Sequence, residues 1–222
     1  NMIKKKKPIN RLKERVKTAK KRKASSTRWL RRQLNDPYVK QAQAEGRRSR
    51  AAFKLIEIDK KFKLLKAKQT VLDLGAAPGS WTEVIVERTR GRVMGVDKLP
   101  MDAIDGAELL QFDLMDQESF EELKNIINGK VDLVLSDMAS ETTGHKPTDH
   151  IRTQGLAELA ADYAINFLNP GGAFCSKVFH GGAHDTLLKL LKENFTEIKH
   201  YKPPASRKES PENYVIAKDF KK

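Results

Sequence analysis

The sequence is short of cysteine, of long apolar stretches and, at one end only, of acid. Cysteine occurs once, at Cys175, so no internal disulfide can form and a reducing, cytoplasmic setting is expected. No run of about 18 apolar residues occurs, so no segment predicts a bilayer-spanning helix. The chain passes from Asn1-Met2-Ile3 straight into lysines without an apolar core, and no secretory signal is expected. Residues 1–50 hold 19 Lys/Arg against 3 Asp/Glu, whereas the remaining 172 hold 24 against 26. The whole excess behind the net charge of +14 therefore lies in the first quarter of the chain. A near-neutral body with a basic arm predicts a polyanionic partner, nucleic acid above all, because such an arm neutralises phosphates whatever their sequence. Acidic membranes, acidic proteins and a merely solubilising tail remain open on charge alone.

What is present points to one domain. With 222 residues, 39% hydrophobic and 32% charged, the chain can bury a sizeable core and is neither collagen-like nor wholly disordered. Residues 1–24 carry two lysine-rich runs and little that is apolar, and read as an arm disordered without a partner. Residues 25–222 read as the folded domain. Its first part, 25–62, is helical: one segment follows Ser25-Ser26-Thr27, a second restarts at Asn35-Asp36-Pro37 and stops near Gly46, and a third opens at Ser49. Ala51, Leu55, Ile58 and Phe62 line one face of that third helix.

From Thr70 the pattern changes to short apolar strands alternating with helices. Strands are predicted at Thr70–Leu74, Arg92–Val96, Glu108–Phe112, Val131–Ser136, Ala173–Phe179, Glu197–Tyr201 and Tyr214–Ala217. Helices are predicted over 80–89, 116–127, 153–168 and 183–194. Apolar strands interleaved with helices predict an α/β fold, a mostly parallel sheet of Rossmann-like kind covered on both faces. The last two strands have only a Pro/Ser/Lys-rich loop between them, which predicts an antiparallel strand at the sheet edge.

In such a sheet, ligands lie beyond the carboxyl ends of the strands. Four strand ends here carry notable residues: the turn Gly75–Trp81, then Asp97, Asp113 and Asp137. Glycines at 75 and 79 let the backbone approach a ligand closely, and an acid ending the second strand suits ribose hydroxyls. The turn lacks the G-x-G-x-x-G spacing, is stiffened by Pro78 and is followed by no phosphate-binding lysine. The third acidic strand end offers an acceptor for an adenine amino group. A nucleoside cofactor without phosphates fits this pattern better than a dinucleotide, although glycines of this kind can also serve only a tight turn.

Several motifs together resemble the FtsJ-type (RlmE) ribosomal RNA 2′-O-ribose methyltransferases. They are Asp73-Leu-Gly-Ala-Ala-Pro-Gly-Ser-Trp81, Val-Asp97-Lys-Leu-Pro-Met-Asp102, Ser136-Asp-Met-Ala139 and Ser176-Lys-Val-Phe179. Ser49 to Leu55 and Arg207 to Tyr214 extend the likeness, which runs from about Ser25 to the C-terminus. The resemblance implies a class I fold of seven strands, the last antiparallel, and S-adenosyl-L-methionine as cofactor. It implies Gly79 and Trp81 at the methionine end, Asp97 at the ribose, Asp113 at the adenine and Asp137 beside the methyl-bearing centre. It also implies a catalytic set of Lys54, Asp137, Lys177 and Glu212. Ser80 stands where the family commonly has glycine, and Ser140 where it commonly has proline. The implied reaction is 2′-O-methylation of a uridine in large-subunit ribosomal RNA, with no membrane and no obligate protein partner. A transfer-RNA or messenger-cap methyltransferase, or an RNA-binding module without activity, are the alternatives.

A ribose hydroxyl is a weak acid, so its methylation calls for a base. A lysine serves only when neutral, and burial or nearby positive charge favours that state. Lys177, inside the apolar Phe174–Phe179 strand, is the expected base, with Lys54, Asp137 and Glu212 as its positioning partners. Taken singly, Lys54 and Glu212 read as solvated residues. His180, His184 and Asp185 lack an obvious further ligand, so no metal is expected. Cys175 reads as core. His145–His150 reads as a loop over the substrate. Trp29 and Tyr38, with Arg28, Arg31, Arg32, Arg47, Arg48 and Arg50, suggest a surface that stacks on unpaired bases, with Lys202, Arg207 and Lys208 on the opposite rim. Trp29 could equally pack its segment onto the domain.

Overall fold

A computed structural model describes residues 24–140, 143–179 and 185–222. All but the last residue of the basic arm, the His180/His184 pair and the side chains of Arg28 and Trp29 fall outside what is described.

Three helices lead into the sheet: α1 (Ala24–Asn35), α2 (Pro37–Ala44) and α3 (Ala51–Phe62). Asp36 starts α2 as predicted, accepting a hydrogen bond from the Tyr38 amide at 3.0 Å ahead of Pro37 in the first turn. The alternating part follows as β1 (Val71–Leu74), α4 (Ser80–Thr89), β2 (Val93–Asp97), β3 (Ala107–Gln111), α5 (Gln117–Ile127) and β4 (Val131–Ser136). It closes with α6 (Lys146–Phe167), β5 (Leu168–Phe179), α7 (Asp185–Asn194), β6 (Phe195–Tyr201) and β7 (Glu212–Phe220). Among the described residues, no helix is long and apolar enough to cross a membrane.

Among the described residues, seven strands lie in the order β3-β2-β1-β4-β5-β7-β6, and of these β7 alone runs against the others. Strand order reverses between β1 and β4, which is where an open α/β sheet forms its ligand crevice. The last strand is antiparallel, but it does not take the edge. Tyr214-Val215-Ile216-Ala217 are all buried, so β7 needs cover and neighbours on every side, and it inserts between β5 and β6. Strand β6, with Thr196, Lys199 and His200 exposed, tolerates the edge instead.

Two cores separate the faces of the sheet. On one face, Leu72, Leu74, Val134, Phe174, Val178 and Val215 pack under α5, α6 and α7 through residues such as Leu123, Ala161 and Leu187. On the other, Val71, Leu133, Leu135, Cys175, Tyr214 and Ile216 pack under α3 and α4 through Leu55, Ile58, Val84 and Ile85. A third, small cluster of Ala42, Phe53 and Ala205 seats the loop between β6 and β7 on α2 and α3.

Two segments differ from expectation. Helix α6 starts seven residues earlier than predicted, so His145–His150 is mostly helix rather than loop. Pro147 sits in its first turn, where a missing amide costs nothing, and Asp149 accepts hydrogen bonds from the Thr143 amide and hydroxyl and from the Gly144 amide. The turn predicted over 169–172 survives as an irregularity within β5: Leu168 pairs with Val131 and Ala173 with Leu133.

Candidate active site

Side chains alternate across a strand, so residues two apart share a face. Three neighbouring strands carry their α3-facing rows from apolar residues into charged ones at the same end. In β4 the row runs Leu133, Leu135 and then Asp137, one residue past the strand. In β5 it runs Cys175 and Lys177, and in the antiparallel β7 it runs Ile216, Tyr214 and Glu212. The pairings Leu135 with Cys175, Cys175 with Ile216 and Lys177 with Tyr214 keep these rows level. The first turn of α3 overlies that end and supplies Lys54, nearly buried at 9% exposure.

The four predicted catalytic residues therefore meet. Lys177 Nζ lies 2.9 Å from Asp137 Oδ1 and 3.9 Å from Glu212 Oε2, and donates to the Asp137 carbonyl at 3.0 Å. Lys54 Nζ lies 2.9 Å from Glu212 Oε1 and 3.8 Å from Asp137 Oδ2. Two cations and two anions thus share one partly closed space, each charge facing two of opposite sign, which is the condition under which burying ions is tolerable. Burial alone would raise the acids of Asp137 and Glu212 and push Lys177 towards neutrality. Mutual attraction outweighs it. Lys177 and Lys54 hold the Asp137 carboxyl below its ordinary value, and Lys54 then Lys177 do the same for Glu212. Asp137 and Glu212 in turn keep the Lys177 ammonium above its usual value.

The turn after β1 forms the other half of the site. Ala51, Asp73, Gly75, Ala76, Pro78 and Asp137 line a cleft beside the four charged residues. At Gly75, with φ +70°, an added Cβ would come within 2.3 Å of Met138 Cγ, so no other residue fits against the end of β4. Gly79 adopts φ +103° just ahead of α4. The Asp97 carboxylate accepts from the Ala77 amide at 3.0 Å and the Leu99 amide at 2.9 Å, and so ties the β2 end to the turn. Asp113 lies two residues past β3 and accepts from the Met115 amide at 3.0 Å, apart from the cleft-lining residues. Trp81 is 2% exposed; it lines the cleft from below, donating its ring N–H to the Ala51 carbonyl at 3.0 Å and lying 5.7 Å from the Tyr214 ring.

Some residues of the site escaped the sequence reading. Tyr214 donates to Asp137 Oδ1 at 2.6 Å and lies 3.3 Å from Glu212 Oε1; burial drives its phenol well above the ordinary value. Its position two residues after Glu212 on one strand was the available signal. Asp73 accepts from Thr82 Oγ1 at 2.7 Å, while its Oδ1 is buried without a partner. Burial pushes this carboxyl up to about 7, with the Asp137 and Asp97 charges adding to the rise.

Several of the arginines read as an RNA surface are otherwise engaged. Arg47 meets Glu87 at 2.6 Å, and Arg48 meets Glu83 at 2.9 Å and the carbonyls of Pro78 and Ala103. Arg50 and Arg207 both reach Asp36, at 3.2 and 3.5 Å. Tyr38 donates to Glu57 at 2.8 Å and packs on Phe53. Arg31, Arg32, Lys202 and Lys208 stay exposed. The inward-turned arginines brace the N-terminal helices against the domain, because each finds a carboxylate there. Cys175 is buried core as expected.

The sequence matches the model of the FtsJ-like methyltransferases over residues 47–220, which takes in the cleft and all four charged residues. The chain belongs to the FtsJ-like methyltransferase family. A Sphingopyxis alaskensis protein named Ribosomal RNA large subunit methyltransferase E is 60% identical over 208 residues, covering 93% of this chain and 90% of its own. A protein of the same name from Novosphingobium aromaticivorans is 58% identical over 209 residues, covering 94% of each. Among solved structures, a Plasmodium falciparum protein described as a candidate ribosomal RNA methyltransferase is 34% identical, with a TM-score of 0.71 over 78% of this chain and 98% of its own.

This family member is an S-adenosylmethionine-dependent methyltransferase. Its cleft fits that cofactor. The walls offer an unpartnered buried oxygen on Asp73 and the Asp137 carboxylate, which favour a cationic ligand over a phosphorylated one.

Proposed function

We propose that this enzyme methylates the ribose 2′-hydroxyl of a uridine in large-subunit ribosomal RNA, in the cytoplasm and without an obligate protein partner, with Lys177 as general base. The observation that carries the reading is the Lys177 amine held 2.9 Å from Asp137 within a four-charge cluster on the rim of the cleft. The printed names of the relatives, which specify ribosomal RNA of the large subunit, support the substrate.

S-adenosylmethionine, when bound, supplies a methyl carbon on a positively charged sulfur. Gly75 and Gly79 would give it backbone to lie against, Trp81 and Asp137 would flank its methionine end, Asp97 would accept from the ribose and Asp113 would face the adenine. Lys177 Nζ would take the proton of the attacking hydroxyl. In the free protein Asp137 and Glu212 keep that amine charged, so Lys177 must release a proton before it can act. It does so more readily once Asp137 also balances a further cation in the cleft. Lys54 holds Glu212, and the two carboxylates fix both amines, so that the hydroxyl meets its base in one geometry; alignment of this kind lowers a barrier by several kcal/mol. Residues 25–222 would form the catalytic domain, with the basic arm over 1–24 adding phosphate contacts that need no particular sequence.

The deciding experiment is transfer of a labelled methyl group to fractionated RNA and to isolated ribosomal subunits, followed by mapping of the labelled nucleotide. Label on the ribose of one uridine of the large-subunit RNA is the expected result. Label in transfer RNA, in a messenger cap or on a base overturns the substrate reading.

A further inference from the structure

Behind Glu212 stands the loop 202–211 that joins β6 to β7; Ser210 Oγ accepts from the Glu212 amide at 3.2 Å, and one hydroxyl of the loop reaches the Glu212 carboxylate itself. Ser206 Oγ donates to Glu212 Oε1 at 2.7 Å, the oxygen that also lies 2.9 Å from Lys54 Nζ. Ser206 is itself 5% exposed, and its amide donates to the Pro203 carbonyl at 2.9 Å. Its neighbour Ala205 is wholly buried and held on three counts. The side chain packs with Ala42 and Phe53, the amide donates to Glu57 Oε2 at 2.6 Å, and the carbonyl accepts from the Arg50 guanidinium. Glu57 and Arg50 are themselves fixed, the first by the Tyr38 hydroxyl at 2.8 Å and the second by Asp36 at 3.2 Å. Lys202 Nζ binds the far limb of the loop through the carbonyls of Lys208 and Ser210, at 3.2 and 2.5 Å.

We propose that Ser206 is a positioning residue for methyl transfer: its hydroxyl, anchored through Ala205 to Glu57 and Arg50, sets the orientation of the Glu212 carboxylate and through it the placement of Lys54 and Lys177. The proposal rests on the catalytic reading of the four charged residues. The physical need is specific. The terminal torsion of a glutamate is broad, and two ammonium groups within 4 Å of one carboxylate can be satisfied by more than one rotation of it. Lys54 Nζ lies within 3.0 Å of both carboxylate oxygens and so does not choose between them, whereas Ser206 on its rigid loop, closer to Oε1 at 2.7 Å than the Tyr214 hydroxyl at 3.3 Å, narrows that freedom. The loop is absent from the residues lining the cleft, so its effect falls on the chemical step rather than on cofactor binding.

The test is a double-mutant cycle in the full-length enzyme. Ser206→Ala and Ser206→Thr are compared in the parent and in a Glu212→Gln background, reading kcat, KM for RNA and the cofactor Kd. Ser206→Ala is expected to lower kcat about tenfold, the scale of a lost hydrogen bond to a charged group. KM and cofactor Kd are expected to stay within about twofold of the parent. Ser206→Thr, which keeps a hydroxyl, should restore most of the rate, and in the Glu212→Gln background removal of the hydroxyl should cost nothing more. Glu57→Gln, which cannot accept from both Ala205 and Tyr38, should give a smaller loss of the same kind. An unchanged kcat in Ser206→Ala, an equal loss in both backgrounds, or a loss confined to KM overturns the role of Ser206. Full activity in Glu212→Gln instead overturns the four-residue reading on which it rests.

Discussion

The two halves of the site treat buried charge in opposite ways. At the ends of β4, β5 and β7, every carboxylate meets an ammonium: Asp137 and Glu212 each face Lys54 and Lys177 within 4 Å. At the ends of β1, β2 and β3, the carboxylates meet only hydroxyls and backbone amides: Asp73 has Thr82, Asp97 has Ala77 and Leu99, and Asp113 has Met115. The first half is neutral within itself. The second has no cation of its own, and of its three acids Asp73 lines the cleft, where burial raises its carboxyl to about 7. In the proposed mechanism a preformed pair of amines and a set of unpaired acids would divide the labour of one reaction between two neighbouring stretches of sheet.

Breaking the neutral half has the largest expected effect. Lys177→Ala removes the proposed base and leaves Asp137 with Lys54 at 3.8 Å as its remaining cation. Methyl transfer should fall by roughly 100- to 10,000-fold, the range that general base catalysis supplies, while cofactor affinity, measured by calorimetry, stays nearly that of the parent. Full activity in this variant would remove Lys177 from the mechanism.

The acidic half sets a pH dependence of the opposite sign to its neighbour. Asp73 is raised from 3.8 to about 7 on folding, so the folded protein keeps its proton where the unfolded chain has lost it. Its contribution is fully present below the unfolded value and is lost as pH rises through about 7. Asp137 and Glu212 are lowered, so their stabilisation is present above the unfolded values and is lost only as pH falls through their folded ones. Urea titrations of the cofactor-free protein should therefore show Asp73→Asn gaining stability over the parent above pH 7, with the difference shrinking towards pH 4. A constant difference across that window would show that Asp73 does not titrate there.

The smallest effect tests the one side-chain partner of that acid. Thr82→Val keeps the volume and removes the donor to Asp73 Oδ2, so unfolding should become easier by about 1–3 kcal/mol near neutral pH, the cost of stranding a buried acceptor. At pH 4, where Asp73 is protonated, chemical denaturation should find a smaller cost.

Much of this was legible in the sequence because strand ends advertise themselves. An apolar run that stops at Asp97 or Asp137 predicts both the strand and the placing of its last residue at the sheet's ligand-binding end, a lysine inside the apolar run of β5 stands out at Lys177, and the helices at Pro37 and Ser49 follow from caps and apolar spacing. What stayed hidden depends on partners far away in the chain. Arg48 meets Glu83, Arg50 meets Ala205, and Arg207 meets Asp36, pairings that no local pattern encodes, and so residues read as an RNA surface also make contacts within the chain. The early start of α6 was missed because Lys146-Pro147 reads as a loop until Asp149 is seen collecting the amides of Thr143 and Gly144. The edge was misplaced for a similar reason. Four consecutive buried residues in β7 already marked it as an interior strand, but choosing which of two neighbours lies outside requires comparing their polarity, and β6 is the more polar.

The level rows that bring Asp137, Lys177 and Glu212 together impose a rule on chain length. Losing a single residue between Ala173 and Lys177 would invert the pleat and carry the amine through to the side where α6 and α7 pack, among Phe174 and Leu187. The same loss within the bulge at 169–172 can be absorbed before the pairing resumes at Ala173. Natural drift and deliberate redesign alike are thus free to trim that bulge, yet have no slack in the five residues that follow it.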